Sequence, residues 1–145
     1  MNQELIIRAS ELINSKTGYE WEGYASLSLI DENGYPSAAT FAIVKADGIN
    51  WLTFATRPSR AYAKRISKNN KACVCVNSSE YNINLVGTVE ALTDIEIKKD
   101  MWIPNTAMEQ LWNGAGDPDL LILRFKTERY SIWFKEDWGS AAGNL

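Results

Sequence analysis

A short polar turn between an apolar segment and a basic segment carries the residues best suited to chemistry. Residues 49–56 are apolar and end at Arg57-Pro58-Ser59-Arg60, after which the chain is basic. If a helix starts here, its free backbone N–H groups and its dipole favour an anion. Ser59 is predicted to be the N-cap, and Arg60 can bind a phosphate through two hydrogen bonds. The turn therefore favours a phosphorylated cofactor.

The basic residues after this turn have a second interpretation. Arg60, Lys64 and Lys68 are four residues apart, so a helix would place them on one face. A basic helical face that is simply solvated has the same pattern, and it is the simpler explanation of these residues alone. Both interpretations stay open at this point.

Composition narrows the class of protein. The chain has 145 residues, 46% hydrophobic and 23% charged, which predicts one globular domain over residues 1–145. Its net charge of −3 argues against a nucleic-acid partner. No apolar run reaches the roughly 20 residues that span a bilayer, and no secretory signal is recognisable. We expect a cytoplasmic protein that binds neither nucleic acid nor membrane.

The chain contains no histidine. It therefore lacks the commonest metal ligand, the commonest general base and the usual haem ligand. Cys73 and Cys75 are the only cysteines, and their spacing on a strand is unfavourable for a disulfide. They are predicted to be reduced core residues. No metal site is expected, and no catalytic acid or base can be named.

Hydrophobic periodicity and turn signals predict a mainly β fold with two or three helices. The N-terminal helix should cover residues 1–17, and a second helix follows Arg60. Thr93 and Glu96 predict a capping box for a third helix, which Pro104 should break, with a helical piece over 105–112. Residues 137–145 should be a loose tail. The predicted strands are 22–31, 35–45, 49–56, 72–77, 81–92, 119–126 and 130–135.

Short antiparallel strands joined by tight turns are typical of a small barrel. The turns at Asn33-Gly34 and Asp47-Gly48 predict two hairpins. Because a closed barrel of this size fills its own interior with side chains, a cofactor would lie outside, in a groove or at a subunit interface.

Four segments resemble the FMN-binding split β-barrels related to pyridoxamine 5′-phosphate oxidase, and most closely the general stress protein 26 group. They are 31–45 (DENGYPSAATFAIVK), 52–76 with its turn of Thr56, Ser59 and Arg60, 82–102 (NINLVGTVEALTDIEIKKDMW) and 117–133 (DPDLLILRFKTERYSIW). The resemblance implies a six-stranded antiparallel split barrel and a homodimer with FMN at the subunit interface. It also implies a stress-related, flavin-dependent oxidoreductase of unknown substrate, with a small-molecule or nicotinamide reductant.

Positions that match the family's flavin contacts can be named one by one. They are Thr40, Phe41, Ala42, Lys45, Ala55, Thr56, Ser59, Arg60, Lys64, Asn82 and Trp133. Thr40 stands where the family has an arginine and Ala61 where it has a second cation, so Lys64 or Arg57 would have to substitute. These positions also have a simpler, purely structural interpretation. Lys45 can be a solvated residue at a strand end, Thr56 and Asn82 can be ordinary strand-end residues, and Trp133 can be a core residue. Trp102, Trp112 and Trp138 also lie in this aromatic C-terminal part.

One departure from the family bears on activity. The histidine- and arginine-bearing segment that grips pyridoxyl phosphate has no counterpart after Trp133, so vitamin B6 oxidation is not expected. A flavin-binding sensor or carrier without turnover is the alternative. A reductase of the same fold that uses a deazaflavin is another, and haem binding is disfavoured by the lack of histidine.

Overall fold

The structure is a computed structural model that describes residues 2–136 and 139–145. The described residues are mainly in β-strands, and all of the strand pairs they form are antiparallel. The elements are α1 (Asn2–Ser15), β1 (Tyr24–Ile30), β2 (Pro36–Ala46), β3 (Trp51–Thr56), α2 (Ala61–Ile66), β4 (Lys71–Asn77), β5 (Tyr81–Leu92), α3 (Ile95–Met101), α4 (Met108–Leu111), β6 (Leu121–Phe134) and β7 (Gly139–Asn144).

Six strands close into a barrel. The strand order is β3-β2-β1-β4-β5-β6-β7, and β3 also pairs with β6. The first half of β6 closes the barrel against β3, and its second half pairs with β7. The prediction of a six-stranded antiparallel barrel is confirmed, with β7 as an added strand. The described residues contain four helices rather than two or three.

The barrel interior is packed with apolar side chains. Strand side chains alternate between faces, so every second residue points inward. Helices α1 and α2 complete this core with Leu5, Ala9, Ile13 and Ile66. Fully buried members from the strands are Leu27, Leu29, Phe54, Val74, Ile83, Leu85, Leu123 and Phe125. The core leaves the outer faces as the place for a ligand.

The outer surface has two different faces. On β2, β3 and β6, the outward Val44, Ala55 and Ile122 are buried beneath Met108 and Trp112, at and beside α4. On β1, β4 and β5, the outward side chains are small and half-exposed. We call these the open face: Ser26, Ser28, Cys73, Cys75, Asn82 and Asn84.

The prediction that Cys73 and Cys75 are core residues is wrong, because both belong to the open face. The inward positions of β4 are Ala72, Val74 and Val76, so Cys73 and Cys75 point outward. Both are free thiols. Alternation on a strand fixes only that the two share a face, and the apolar character of cysteine suggested the wrong one.

Two predictions near the C-terminus were also wrong. The segments 119–126 and 130–135 form one strand, because β6 stays paired with β5 across a bulge at Val86 and Gly87. The expected tail instead forms β7 along β6. Its first two positions, including Trp138, lie outside the described residues.

Two predicted helix starts are one residue too early. Asp94 rather than Thr93 caps α3, and its carboxylate accepts the N–H groups of Glu96 and Ile97 at 2.9 and 3.3 Å. Helix α2 begins after Arg60 and no side chain caps it, so Ser59 is not the N-cap. A tight turn, with the Arg60 N–H donated to the Arg57 carbonyl at 3.0 Å, delays the helix by one residue.

Helix α2 is also shorter than expected. It ends at Ile66, so Lys68 lies beyond it and only Arg60 and Lys64 flank the helix face. Among the residues described, no helix is long and apolar enough to cross a membrane.

Candidate functional site

A groove of about 1070 Å³ lies on the outside of the barrel, next to several of the predicted site residues. It lies between the segment before β1, the outward side of β2, and the loop that leads into α4. We call it the acidic groove. Its lining residues are Tyr19, Glu20, Trp21, Glu22, Tyr24, Thr40, Ala42, Asn105, Thr106, Ala107, Gln110 and Leu111.

The first wall is a tight arch held at both feet by one residue of β2. The Tyr19 N–H donates to the Ile43 carbonyl at 2.9 Å, and the Ile43 N–H donates to the Gly23 carbonyl at 2.9 Å. A Cβ on Gly23 would lie 2.0 Å from the Lys16 carbonyl oxygen, so only glycine fits there. The arch therefore displays the side chains between its feet, including Trp21, which is 97% exposed.

The side chains of Thr106 and Arg57 anchor the second wall, which is the loop that leads into α4 together with α4. Thr106 donates its hydroxyl to the Ile103 carbonyl at 2.7 Å and accepts the Met108 N–H at 3.3 Å. The Arg57 guanidinium donates to the Leu111 carbonyl at 2.8 Å and pairs with the Asp119 carboxylate. The first wall is thus fixed by backbone hydrogen bonds, and the second by the side chains of Thr106 and Arg57.

Left-handed backbone occurs at both walls. Among the described residues other than glycine, Tyr19 and Asn105 are those with positive φ, at 56° and 62°. Asparagine tolerates this conformation, but it is uncommon for a bulky residue such as tyrosine. Such backbone persists where surrounding contacts enforce it and clusters at functional sites.

The groove carries negative charge. The side chains of Glu20 and Glu22 make no hydrogen bond or ion pair within the described part of the chain. Among the described residues that line the groove, none is a lysine or an arginine. Partial burial raises the pKa of Tyr19, and the nearby Arg57 opposes this more weakly. The tyrosine therefore stays neutral, and the two carboxylates set the charge.

Two of the predicted cofactor contacts form the floor of this groove. Thr40 and Ala42 point outward from β2 into it. Phe41, between them, points inward and packs against Phe54 and Tyr62, with ring centroids 5.9 and 5.4 Å away. The side chain of Phe41 therefore belongs to the core, and only its backbone reaches the outer side.

A second group of predicted contacts lies at the end of β3. Strands β2 and β3 are antiparallel, and Ile43 pairs with Phe54. The C-terminal end of β3 therefore lies at the same end of the barrel as Thr40. Tyr62 of α2 donates its hydroxyl to the Ser37 carbonyl of β2 at 3.3 Å, so α2 also lies against this end. The structure thus brings Ser59, Arg60 and Lys64 toward the outward residues of β2. Thr56 follows the outward Ala55 on β3 and is buried, so its side chain points inward like that of Phe54.

The cations in this group differ in availability. The exposed side chains of Arg60 and Lys64 have no hydrogen-bond or ion-pair partner among the described residues. Arg57, by contrast, binds Asp119 and lies over the Trp112 ring, 5.3 Å from its centroid. Of the two predicted substitutes for the missing cation, only Lys64 is therefore available.

Two predicted contacts lie apart from this group. Lys45, near the other end of β2, donates its Nζ to the Asp100 carbonyl in α3 at 2.5 Å. Ala55 is buried in the cluster beneath α4. Neither side chain points toward Arg60 in this arrangement.

Asn82 and Trp133 are on the far side of the open face. They are paired neighbours on β5 and β6. The Asn82 side chain accepts a hydrogen bond from the Cys75 thiol at 3.4 Å. Strands β1 and β4 separate β5 from β2, which places Asn82 on the order of 14 Å from Thr40.

The arch and its carboxylates were not predicted from sequence. The available signal was the run Gly18-Tyr19-Glu20-Trp21-Glu22-Gly23, in which two glycines bracket an aromatic residue between two acids. Glycines that bracket a short polar run indicate a tight turn. The pattern does not indicate which side of the barrel the turn faces.

Comparison with known proteins agrees with this architecture. A protein from Clostridium acetobutylicum related to general stress protein 26 of B. subtilis has 25% identity and a TM-score of 0.82, covering 100% of this chain and 97% of its own. An FMN-binding, pyridoxamine 5′-phosphate oxidase-related protein from Nostoc punctiforme has 14% identity and a TM-score of 0.69, covering 99% and 95%.

The same fold also occurs with another ligand. A heme-binding protein from Mycobacterium smegmatis has 12% identity and a TM-score of 0.69, covering 94% of this chain and 57% of its own. No curated protein shows a significant match. The family model described as pyridoxamine 5′-phosphate oxidase matches residues 15–134. The chain therefore belongs to the pyridoxamine 5′-phosphate oxidase family.

Proposed function

We propose that the protein binds FMN and acts as a flavin-dependent oxidoreductase. The observation that carries the proposal is the pair of unpartnered cations, Arg60 and Lys64, beside the end of β3. A phosphate dianion is a suitable partner for them, because an arginine or lysine forms strong charge-assisted hydrogen bonds with phosphate oxygens. The outward β2 residues next to them leave room for a flat ring system outside the filled barrel.

The donor set fits this cofactor in part. Arg60, Lys64 and Ser59 would bind the phosphate, while Thr40 would bond the ribityl chain or the ring edge. The side chain of Thr56 is buried and would not reach the cofactor in this arrangement. Lys45 would take part only if it left the Asp100 carbonyl. Bound FMN would supply the redox chemistry, and the protein would supply binding, orientation and electrostatics.

The separation of the two groups of predicted contacts supports a homodimer with FMN at the interface. One chain presents Thr40 and Arg60 on one side of the open face and Asn82 and Trp133 on the other. Small, half-exposed side chains such as Ser26 and Cys75 allow two such faces to approach closely. An isologous pair would then complete each flavin site with Asn82 and Trp133 of the partner subunit.

Oxidation of pyridoxine 5′-phosphate is not part of this proposal. The acidic groove next to Thr40 has no lysine or arginine among its described lining residues to hold a substrate phosphate. A flavin-binding sensor or carrier remains the alternative function, and a deazaflavin the alternative cofactor. A cytoplasmic location and a role in stress stay predictions.

The absorbance spectrum of the purified protein, combined with light scattering, tests the proposal. We expect a flavin spectrum, one FMN per chain and the mass of a dimer at micromolar concentration. Reduction by a nicotinamide cofactor and turnover with a reducible acceptor would separate an enzyme from a carrier. A monomer that keeps its flavin would contradict the interface site, and a deazaflavin or haem spectrum would contradict the cofactor. Steady formation of pyridoxal phosphate under air would contradict the exclusion of vitamin B6 oxidation.

A further inference from the structure

We propose that the acidic groove binds a planar aromatic cation. This inference deepens the proposed function and rests on it, because the groove shares Thr40 and Ala42 with the flavin site. Its ligand would lie beside the flavin as the substrate or electron acceptor of that site. The charge and the aromatic lining of the groove favour such a ligand whether or not a flavin is bound.

The negative charge of the groove is due to two carboxylates of the arch. Glu20 and Glu22 are exposed carboxylates with no partner in the described part of the chain, two residues apart at a fixed turn. The Gly23 N–H donates to the Glu20 carbonyl at 3.1 Å and locks that turn. Two uncompensated negative charges on one wall attract a cation and repel a phosphate or a carboxylate.

The aromatic character comes from three rings of the same lining. Trp21, Tyr24 and Tyr19 all border the groove, and the first two are 97% and 53% exposed. A cation over the face of a tryptophan or tyrosine ring is attracted by the ring quadrupole, most strongly by tryptophan. An indole that is almost fully in water beside two free carboxylates fits such a ligand.

The opposite wall offers neutral polar groups. Asn105, Thr106 and Gln110 can donate or accept hydrogen bonds without adding charge. Leu111 adds an exposed apolar edge. A volume of about 1070 Å³ accommodates a ring system of two or three fused rings with space left for part of a flavin.

Calorimetric titration with three related probes tests the proposal. The 1-methylquinolinium cation, neutral quinoline and quinoline-3-carboxylate share one bicyclic ring system and differ in charge at neutral pH. Each would be titrated into the protein as purified, and FMN binding would be measured separately on the same samples. The test variant is E20Q/E22Q, which keeps the shape of both side chains and removes both charges.

The matched control is E4Q/E128Q. It changes the net charge by the same amount at exposed glutamates on α1 and β6, away from the groove. We expect the cation to bind about tenfold more tightly than the carboxylate. E20Q/E22Q should weaken the cation about tenfold and leave quinoline nearly unchanged, whereas the control should change neither. W21A should weaken both the cation and quinoline, because it removes the ring itself.

Three results would overturn the proposal. They are equal affinity for the cation and the carboxylate, an unchanged cation affinity in E20Q/E22Q, and no binding of any probe while FMN binds normally. The opposite combination, a cation that binds as expected to a protein that binds no FMN, would refute the flavin function and keep the groove as a cation site. The two failures are therefore distinguishable.

Discussion

The ring of Tyr19 lies edge-on against the ring of Trp112, with centroids 6.2 Å apart. This contact joins the two walls of the acidic groove, since Tyr19 is a foot of the arch and Trp112 directly follows α4. Trp112 also donates its indole N–H to the Asp119 carbonyl at 2.9 Å. The groove is thus built on a packed aromatic cluster and not on loops alone.

Trp112→Ala tests this role of the cluster. The side chain is only 5% exposed, so its removal should lower the free energy of unfolding by about 3–5 kcal/mol. Urea unfolding followed by circular dichroism would measure the loss. Trp21→Ala is the matched control, because that side chain is 97% exposed and its loss should stay within about 0.5 kcal/mol. Equal losses in the two variants would show that Trp112 does not anchor the walls.

Gly87→Ala tests the bulge that lets β6 run as one strand. A Cβ at Gly87 would lie 1.9 Å from the Lys126 carbonyl oxygen and 3.1 Å from the Thr127 Cα. Both are backbone atoms that cannot move aside, so we expect a loss of about 3 kcal/mol in the free energy of unfolding. Gly116→Ala, where the nearest atom is a side-chain carbon at 3.9 Å, should change it by less than about 0.5 kcal/mol. A tolerated Gly87→Ala would contradict the close approach of the strands.

The sequence predicts the barrel better than the site. The alternation of apolar and polar residues and the two glycine turns predict the bounds of β1 to β5 close to those observed, because these signals are local and periodic. The polar residues of 127–129 suggest a break, but β6 runs through them because β5 and β7 pair with it. Contacts between residues far apart in the sequence also limit the prediction of the site. Such contacts decide that Phe41 points inward, against Phe54 and Tyr62, and that Arg57 is bound to Asp119.

The two thiols of the open face should react slowly. Partial burial raises the pKa of Cys73 and of Cys75, and each thiol donates to an asparagine oxygen. Because only the thiolate is an effective nucleophile, alkylation by iodoacetamide at neutral pH should be slower than for free glutathione. The rate should still rise as the pH passes the ordinary cysteine value of 9.0. Protein unfolded in urea is the control, and equal rates for native and unfolded protein would contradict the raised pKa values.

The ion pair between Glu32 and Arg65 should contribute to stability in a pH-dependent way. The Arg65 guanidinium donates to both carboxylate oxygens, at 2.9 and 3.4 Å, and lowers the pKa of Glu32 below its ordinary 4.5. The native state therefore favours the carboxylate. The stabilisation is present above the unfolded pKa and is lost as the pH falls through the lowered native value.

Urea unfolding at a series of pH values checks this sign. The midpoint should fall more steeply with acid below pH 4.5 in the wild type than in Glu32→Gln. Glu128→Gln, at an exposed glutamate without an ion pair among the described residues, should follow the wild type. An acid dependence that Glu32→Gln leaves unchanged would rule out this contribution.

The central claim is that Arg60 binds the phosphate of FMN, and a fluorescence titration with FMN and riboflavin tests it most directly. Riboflavin carries the same ring and ribityl chain without the phosphate. Arg60→Ala should weaken FMN binding by about 1.5–3 kcal/mol, as expected for a hydrogen bond to a charged group, and leave riboflavin almost unchanged. Lys68→Ala, which changes a cation beyond the end of α2, should affect neither ligand. Equal losses of FMN and riboflavin in Arg60→Ala, or a wild type that binds neither, would contradict the claim.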